Sequence, residues 1–308
     1  MSRADEFEEL RPLLFAIAYR ILGSVSEAED AVQDAWLRFE STATEPVSTK
    51  AFLSAVVTRI SIDVLRSARV RREQYVGTWL PEPLVSDPYD DPARAAELAD
   101  SVSTAALLLL ERLTPLERAV FVLRDVFGYD YPSIASIVGR SEPACRQLAG
   151  RARRHMDAGR PRFDADRRER EELAARFFDA MREGDVDGLR ELLAADVQMI
   201  GDGGGKAPQW GTGIYGADNV ARVLAANGPL FVHVGVTVEL REVNGQPGAV
   251  LRDRDGRVVN TLTLDVLGGR IQAIRSVLNP DKLGHVGPVA DGFALMREAN
   301  QVRRSPAG

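Results

Sequence analysis

The hydrophobic period of this chain changes once, and that change limits what it can fold into. Through the first half, apolar residues recur at the three-and-four spacing of amphipathic helices. In LRPLLFAIAYRIL, Leu10, Leu13, Leu14, Ile17, Ala18, Ile21 and Leu22 make one core-facing stripe. After two later amphipathic helices, LAARFFDAMREG and DVDGLRELLA, the period falls to two. The segments VHVGVTVELREV, GAVLRD, VVNTLTLDVL and IQAIRSVL alternate apolar and polar, separated by NGQPG, RDG and GGR. The first pattern cannot lie flat in a sheet, and the second cannot wind into a helix. The chain is therefore multidomain: all-α first, then an α+β part of helices followed by a curved antiparallel meander.

Punctuation divides the helical part. Gly23 stops the first helix, and Ser26 with Glu29 reads as a capping box that opens EAEDAVQDAWLRFE. The loop TATEPVST precedes a third helix, KAFLSAVVTRISIDVLRSARVRR. From Glu73 to Pro92 the chain has no helical period, and the prolines and aspartates of TWLPEPLVSDPYDDP read as a linker. Thr114, Pro115 and Glu117 are the N-cap, first and third positions of another helix. Then a short helix, PSIASIV, meets a turn at Gly139, and Ser141 caps a helix carrying Arg146, Arg151, Arg153 and Arg154. That order is a helix-turn-helix.

With 308 residues and 45% apolar content, the chain can bury real cores. Its one cysteine, Cys145, excludes a disulfide framework and argues against a zinc module. The greasiest stretch, VSTAALLLLERL, is too short for a membrane span and ends in charges. A cytoplasmic protein without a membrane partner or cofactor is expected. The net charge of −6 hides two basic islands: Arg59, Arg66, Arg69, Arg71 and Arg72, then Arg146, Arg151, Arg153, Arg154, Arg160 and Arg162. The N-terminal stretch is acidic, with Glu27, Glu29, Asp30 and Asp34 on its second helix. Two nucleic-acid contacts and one basic partner surface fit that distribution.

One late stretch, DGGGK at Asp202 to Lys206, poses a separate question. A glycine run before lysine suggests a phosphate cradle, but the P-loop pattern fails. Ile200 stands where its first glycine is needed, and Ala207 stands where a Ser or Thr must follow the lysine.

These motifs together resemble a bacterial sigma factor of the extracytoplasmic-function (ECF) group. EAEDAVQDAWLRF resembles region 2, FLSAVVTRISIDVLRSARVRR the adjoining reader of the minus-ten element, and TPLERAVFVLRDVFGYDYPSIASIVGRSEPACRQLAGRARRHM region 4. The remainder resembles a SnoaL-like α+β cone. One subgroup carries this extension with three signatures, all present here: WLPEP (Trp79, Leu80, Pro81, Glu82, Pro83), DGGGK (Asp202, Gly203, Gly204, Gly205, Lys206) and NPDKL (Asn279, Pro280, Asp281, Lys282, Leu283). The resemblance implies region 2 over 1–72, a linker over 73–100, region 4 over 101–160, the cone over 167–284 and a tail over 285–308.

It also implies roles and partners: core RNA polymerase, through its beta-prime clamp and beta flap, and promoter DNA. Glu29, Asp30 and Asp34 would face the clamp. Arg59, Asp63, Arg66 and Arg69 would meet the minus-ten element, where Asp63 could accept from a base amino group or pair with a neighbouring arginine. Ser141, Glu142, Arg146 and Gln147 lie where base edges of the minus-35 element are reached; Arg151, Arg153 and Arg154 lie where phosphates are. The three signatures would let the extension regulate the sigma core in place of a separate anti-sigma protein. Two further readings stay open. The cone could hold a small-molecule ligand or an active site among Asp196, Asp202, Tyr215, His233 and Asp265, or the chain could be a repressor with a sensor domain.

Overall fold

The protein is described by a computed structural model that covers residues 2–43, 45–89, 98, 101–157, 167–209 and 213–304, with backbone alone for 68–73. Arg160 and Arg162 lie outside the described residues, as do most of 90–100 and the side chains of Arg69, Arg71 and Arg72. The chain forms two compact units. One comprises Met1–Gln74 and Asp87–Arg160; the other comprises Tyr75–Ser86 and Pro161–Gly308.

In the first unit, α1 (Arg3–Leu22), α2 (Val25–Glu40) and α3 (Thr49–Glu73) pack as a bundle. Leu14, Ile17, Ala18 and Ile21 of α1 are fully buried with Ala28, Ala35, Leu53 and Val57. Gly23 ends α1 in the left-handed region, φ 69°. The cap of α2 is Ser24 and not Ser26: Ser24 Oγ accepts the Glu27 amide, while Ser26 Oγ lies 3.1 Å from Ser24 Oγ. With Gly23 turning the chain so tightly, the next helix starts two residues early.

Helices α4 (Thr104–Leu110), α5 (Pro115–Phe121), α6 (Tyr131–Val138) and α7 (Glu142–Asp157) follow, and α5 runs on through a π-helical turn at Val122–Val126. Thr114 caps α5 with a reciprocal Glu117 contact, and Gly139 ends α6 in the left-handed region, both as the sequence predicts. Arg20 and Arg118, neither with appreciable exposure, tie α1 to α5 where Arg118 Nε donates to Arg20 O at 3.2 Å.

The second unit is α+β. Helices α8 (Arg167–Glu183), α9 (Val186–Leu192) and α10 (Ala217–His233) pack on one face of a six-stranded sheet ordered β2-β1-β6-β5-β4-β3. The strands β3 (Thr237–Val243), β4 (Gln246–Arg252), β5 (Val258–Leu267) and β6 (Arg270–Val277) form the expected antiparallel meander. The sheet as a whole is mixed, because β1 (Leu193–Asp202) lies parallel to β6, and β2 (Ile214–Tyr215) edges β1.

One sequence expectation changes here, and the short tail helix that FALMREANQVRR suggests is present. The first part of VHVGVTVELREV ends helix α10, so the strand begins only at Thr237. The tail carries α11 (Gly292–Arg304), whose Leu295 and Ala299 are buried in the same core as Phe177, Leu224 and Ile274. No helix among the described residues is long and apolar enough to cross a membrane.

Candidate functional site

The three signatures meet in the second unit around one buried carboxylate. Asp202 ends β1 with no exposed surface. Its Oδ1 accepts the Tyr75 hydroxyl at 2.5 Å; its Oδ2 accepts the Leu80 amide at 2.8 Å and Lys282 Nζ at 2.8 Å. Lys282 also donates to Leu80 O and stands 4.8 Å and 4.4 Å from the ring centres of Tyr75 and Trp79. A buried charge is costly without a partner, and here each is paired, hydrogen-bonded and faced by aromatic rings.

Local sequence explains each arm. Two prolines hold the WLPEP backbone extended, leaving the Leu80 amide and carbonyl for side chains to take. In NPDKL, the Asn279 side chain accepts the Asp281 amide and Pro280 opens a single 3-10 turn, which carries Lys282 inward. In DGGGK, glycine is required by crowding. A side chain on Gly203 would put its Cβ 2.5 Å from Ala207 O. On Gly204, at φ +56°, it would lie 2.3 Å from Asn279 Nδ2 and 2.9 Å from Tyr75 Oη. What approaches the glycine loop is thus a tyrosine and an asparagine of the same chain. Lys206 makes an exposed bridge to Asp281 at 2.5 Å.

Five residues that the signatures do not contain, Tyr75, Leu84, Gln209, Asn244 and His285, complete the clasp. Tyr75 also accepts from Asn279 Nδ2 at 2.7 Å, and His285 Nε2 meets Pro83 O at 2.7 Å. Asn244, at the β3–β4 turn, exchanges hydrogen bonds with Leu84 at 3.2 and 2.7 Å. Gln209 accepts the Gly203 amide. Burial first, then the hydrogen bond to Asp202, raises the pKa of the Tyr75 phenol. The stabilisation linked to this proton is complete below pH 10.0, the ordinary tyrosine value, and is lost as pH rises through the higher folded value. Tyr75→Phe leaves Asp202 Oδ1 and Asn279 Nδ2 short of a partner and should cost about 1–3 kcal/mol. Alkaline absorbance titration should show one fewer late-titrating phenol in that variant.

The residues expected to meet polymerase and DNA all lie in the first unit. Asp30 and Asp34 are exposed on one side of α2, while Ala31, Val32 and Ala35 are buried. Glu29 pairs with Arg11 at 2.5 Å. Arg59 donates to Ile137 O at 2.7 Å and Ser136 O at 2.8 Å, at the C-terminal end of α6, and Ser54 Oγ lies 2.7 Å from Tyr129 Oη. Arg66 pairs with Asp63 at 3.0 Å on the exposed face of α3.

On α7, Ser141 Oγ caps the helix by accepting the Ala144 amide. Arg146 bonds Glu142 at 2.8 Å and lies 4.6 Å from the Tyr131 ring centre, and Gln147 is exposed. Arg151 pairs with Glu117 at 2.8 Å and Arg153 with Asp125 at 2.7 Å, whereas Arg154 is exposed. Burial raises the Glu117 pKa, but bonds from Thr114 and Arg151 outweigh it, so the carboxyl stays below its ordinary value. Cys145 is fully buried, and burial first raises its thiol pKa, which makes it an inert core residue.

The enzyme candidates do not converge. Asp202 serves the clasp. Asp265 pairs with Arg275 at 2.6 Å, and burial, only partly offset by Arg275, raises its carboxyl pKa. Neither of them, nor Asp196, Tyr215 or His233, lines the apolar cavity of about 330 Å3 between the helices and the sheet of this unit.

Comparison with known proteins gives this geometry its class. The model of sigma-70 region 2 matches residues 7–71, and that of sigma-70 region 4 matches residues 103–156. The ECF RNA polymerase sigma factor SigJ of Mycobacterium tuberculosis is 39% identical over 290 residues, spanning 90% of this chain and 92% of that protein. The probable ECF sigma factor SigI of the same species is 32% identical, over 89% and 92%. The crystal structure of M. tuberculosis SigJ superposes with a TM-score of 0.73 at 36% identity, covering 94% of this chain and all of that one. The chain belongs to the ECF RNA polymerase sigma factors, a family of transcription initiation factors and not of enzymes. This answers the repressor alternative.

Proposed function

We propose that this sigma factor is controlled by its own C-terminal unit through the Asp202–Lys282 clasp on the WLPEP segment. The observation that carries the reading is the capture of Leu80 on both its amide and its carbonyl by that buried pair. In the sequence, WLPEP lies between the helix that would read the minus-ten element and the one that would read minus-35. An anchor on that segment bears on how both can be placed on a promoter. Glu29, Asp30 and Asp34 would engage the polymerase clamp. Arg59, Asp63, Arg66 and Arg69 would serve the minus-ten element. Ser141, Glu142, Arg146, Gln147, Arg151, Arg153 and Arg154 would serve minus-35. Arg59, Arg151 and Arg153 must first exchange their internal partners for DNA.

In vitro transcription with core polymerase tests this, comparing the full chain, a truncation after Asp164 and the point variant Lys282→Met. The full chain should initiate from a promoter bearing both elements, and releasing the clasp should change initiation several-fold. Equal initiation by all three would sink the regulatory reading. A truncation near His285 is a poorer test, since it removes α11 from the core.

A further inference from the structure

The six-stranded sheet of the C-terminal unit has two edges, and only one of them is blunted. On one side the sheet closes with β2, which has two residues, Ile214 and Tyr215. Strands this short are one way in which sheets avoid edge-to-edge pairing. On the other side it closes with β3, the seven residues TVELREV at Thr237–Val243. β3 has no proline or glycine, and it pairs with β4 along its whole length without a bulge. No described strand pairs with its outer side. An edge of this kind is a template for another strand.

The side chains of β3 are open as well. Leu240 is 50% exposed, and Thr237, Arg241 and Glu242 are exposed with it. Charges on an edge strand normally repel a second strand. Here their order makes the strand complementary to itself. Residues directly opposite in an antiparallel pair share a face of the sheet. When Leu240 is set opposite the partner's Leu240, Glu239 falls opposite the partner's Arg241, and Arg241 opposite the partner's Glu239. Both ion pairs lie on the face where Glu239 already meets Arg241 at 2.9 Å and Arg252 at 3.1 Å. Leu240 covers its own copy on the other face. The neighbouring two-fold registers set Glu239 against itself, or Arg241 against itself, and like charges directly opposite are destabilising. Charge thus selects one register.

We propose that the C-terminal unit pairs with a second copy of this chain along β3, antiparallel and centred on Leu240. The two sheets then run on as one. Seven residues a side fall well short of the roughly 20–30 of a standard interface, so the dimer is weak and depends on concentration. This pairing does not rest on the proposed control by the clasp.

Sedimentation equilibrium of the full chain over a wide concentration range tests it. The average mass should rise from one chain towards two. Glu239→Arg and Arg241→Glu each set like charges opposite one another twice, by symmetry, and should each weaken association about tenfold or more. An equal mixture of the two variants again sets Arg opposite Glu and should restore association, which an edge that had failed to fold could not do. Mild oxidation reads the register. Leu240→Cys should give a disulfide-linked dimer. Glu242→Cys, offset from its own copy by about 13 Å at roughly 3.3 Å per residue, should not. Cys145 is fully buried and does not compete. A single chain at every concentration, or dimers indifferent to both charge reversals, overturns the pairing. Cross-linking through Glu242→Cys as readily as through Leu240→Cys overturns the register on which it rests.

Discussion

Lys282→Met should destabilise the C-terminal unit by about 3 kcal/mol or more and free the linker, although it deletes only one charge. The side chains of Asp202 and Lys282 are 0% and 9% exposed, so methionine strands a carboxylate that water cannot reach. Removing one partner of a buried pair typically costs about 3–5 kcal/mol. The Tyr75 hydroxyl and the Leu80 amide still hold the carboxylate, which puts the loss at the lower end. Asp202→Asn combined with Lys282→Met removes both charges and should cost clearly less than the two single changes added together. A control lies in the same two signatures. The Lys206–Asp281 bridge is 58% and 59% exposed, so Lys206→Met should cost about 0–1 kcal/mol. Urea unfolding gives the energies, and faster exchange of the Leu80 amide reports release of the linker. If Lys282→Met and Lys206→Met cost the same, the buried pair does not hold the clasp.

The parts of this molecule that were legible in its sequence are those set by neighbours a few residues apart. The cap at Thr114, the stop at Gly139 and the meander of β3 to β6 are of this kind. Helix α10 runs through Asn227, Gly228 and Pro229, residue types that locally favour a turn over a helix interior. Gly228 is there because α8 passes so close that a Cβ would come 1.8 Å from Met181 O. Strand β1 escaped because its alternation is broken by a register shift between Leu193 and Gln198, and its parallel partner lies some seventy residues downstream.

The candidate site divides in the same way. The family signatures pointed to fifteen residues of the clasp region, but Tyr75 carries no local pattern, and its carboxylate partner stands 127 positions away. The resemblance implied that Arg59 of α3 meets promoter DNA. It could not show that carbonyls of α6 already hold it.

Gly204→Ala and Gly256→Ala should separate backbone strain from crowding in the clasp. Both glycines have positive φ, +56° and +76°, so alanine meets a comparable left-handed penalty of roughly 1–2 kcal/mol at each. At Gly256 nothing lies within 4 Å of the new Cβ, and the penalty should be the whole effect. At Gly204 the methyl meets Asn279 Nδ2 at 2.3 Å and Tyr75 Oη at 2.9 Å, two groups that bond each other, the tyrosine also bonding Asp202. Overpacking of that kind adds about 1–3 kcal/mol. The larger consequence is positional: the tyrosine cannot retreat without surrendering its bond to the buried carboxylate. Gly204→Ala should therefore cost about 2–5 kcal/mol, speed Leu80 exchange and alter initiation in the same direction as Lys282→Met. Gly256→Ala should do neither of the last two. Were both variants to lose the same stability and leave the linker equally protected, the glycine run would be a turn and nothing more. If they differ, its triple glycine is there to let a tyrosine of the linker reach Asp202.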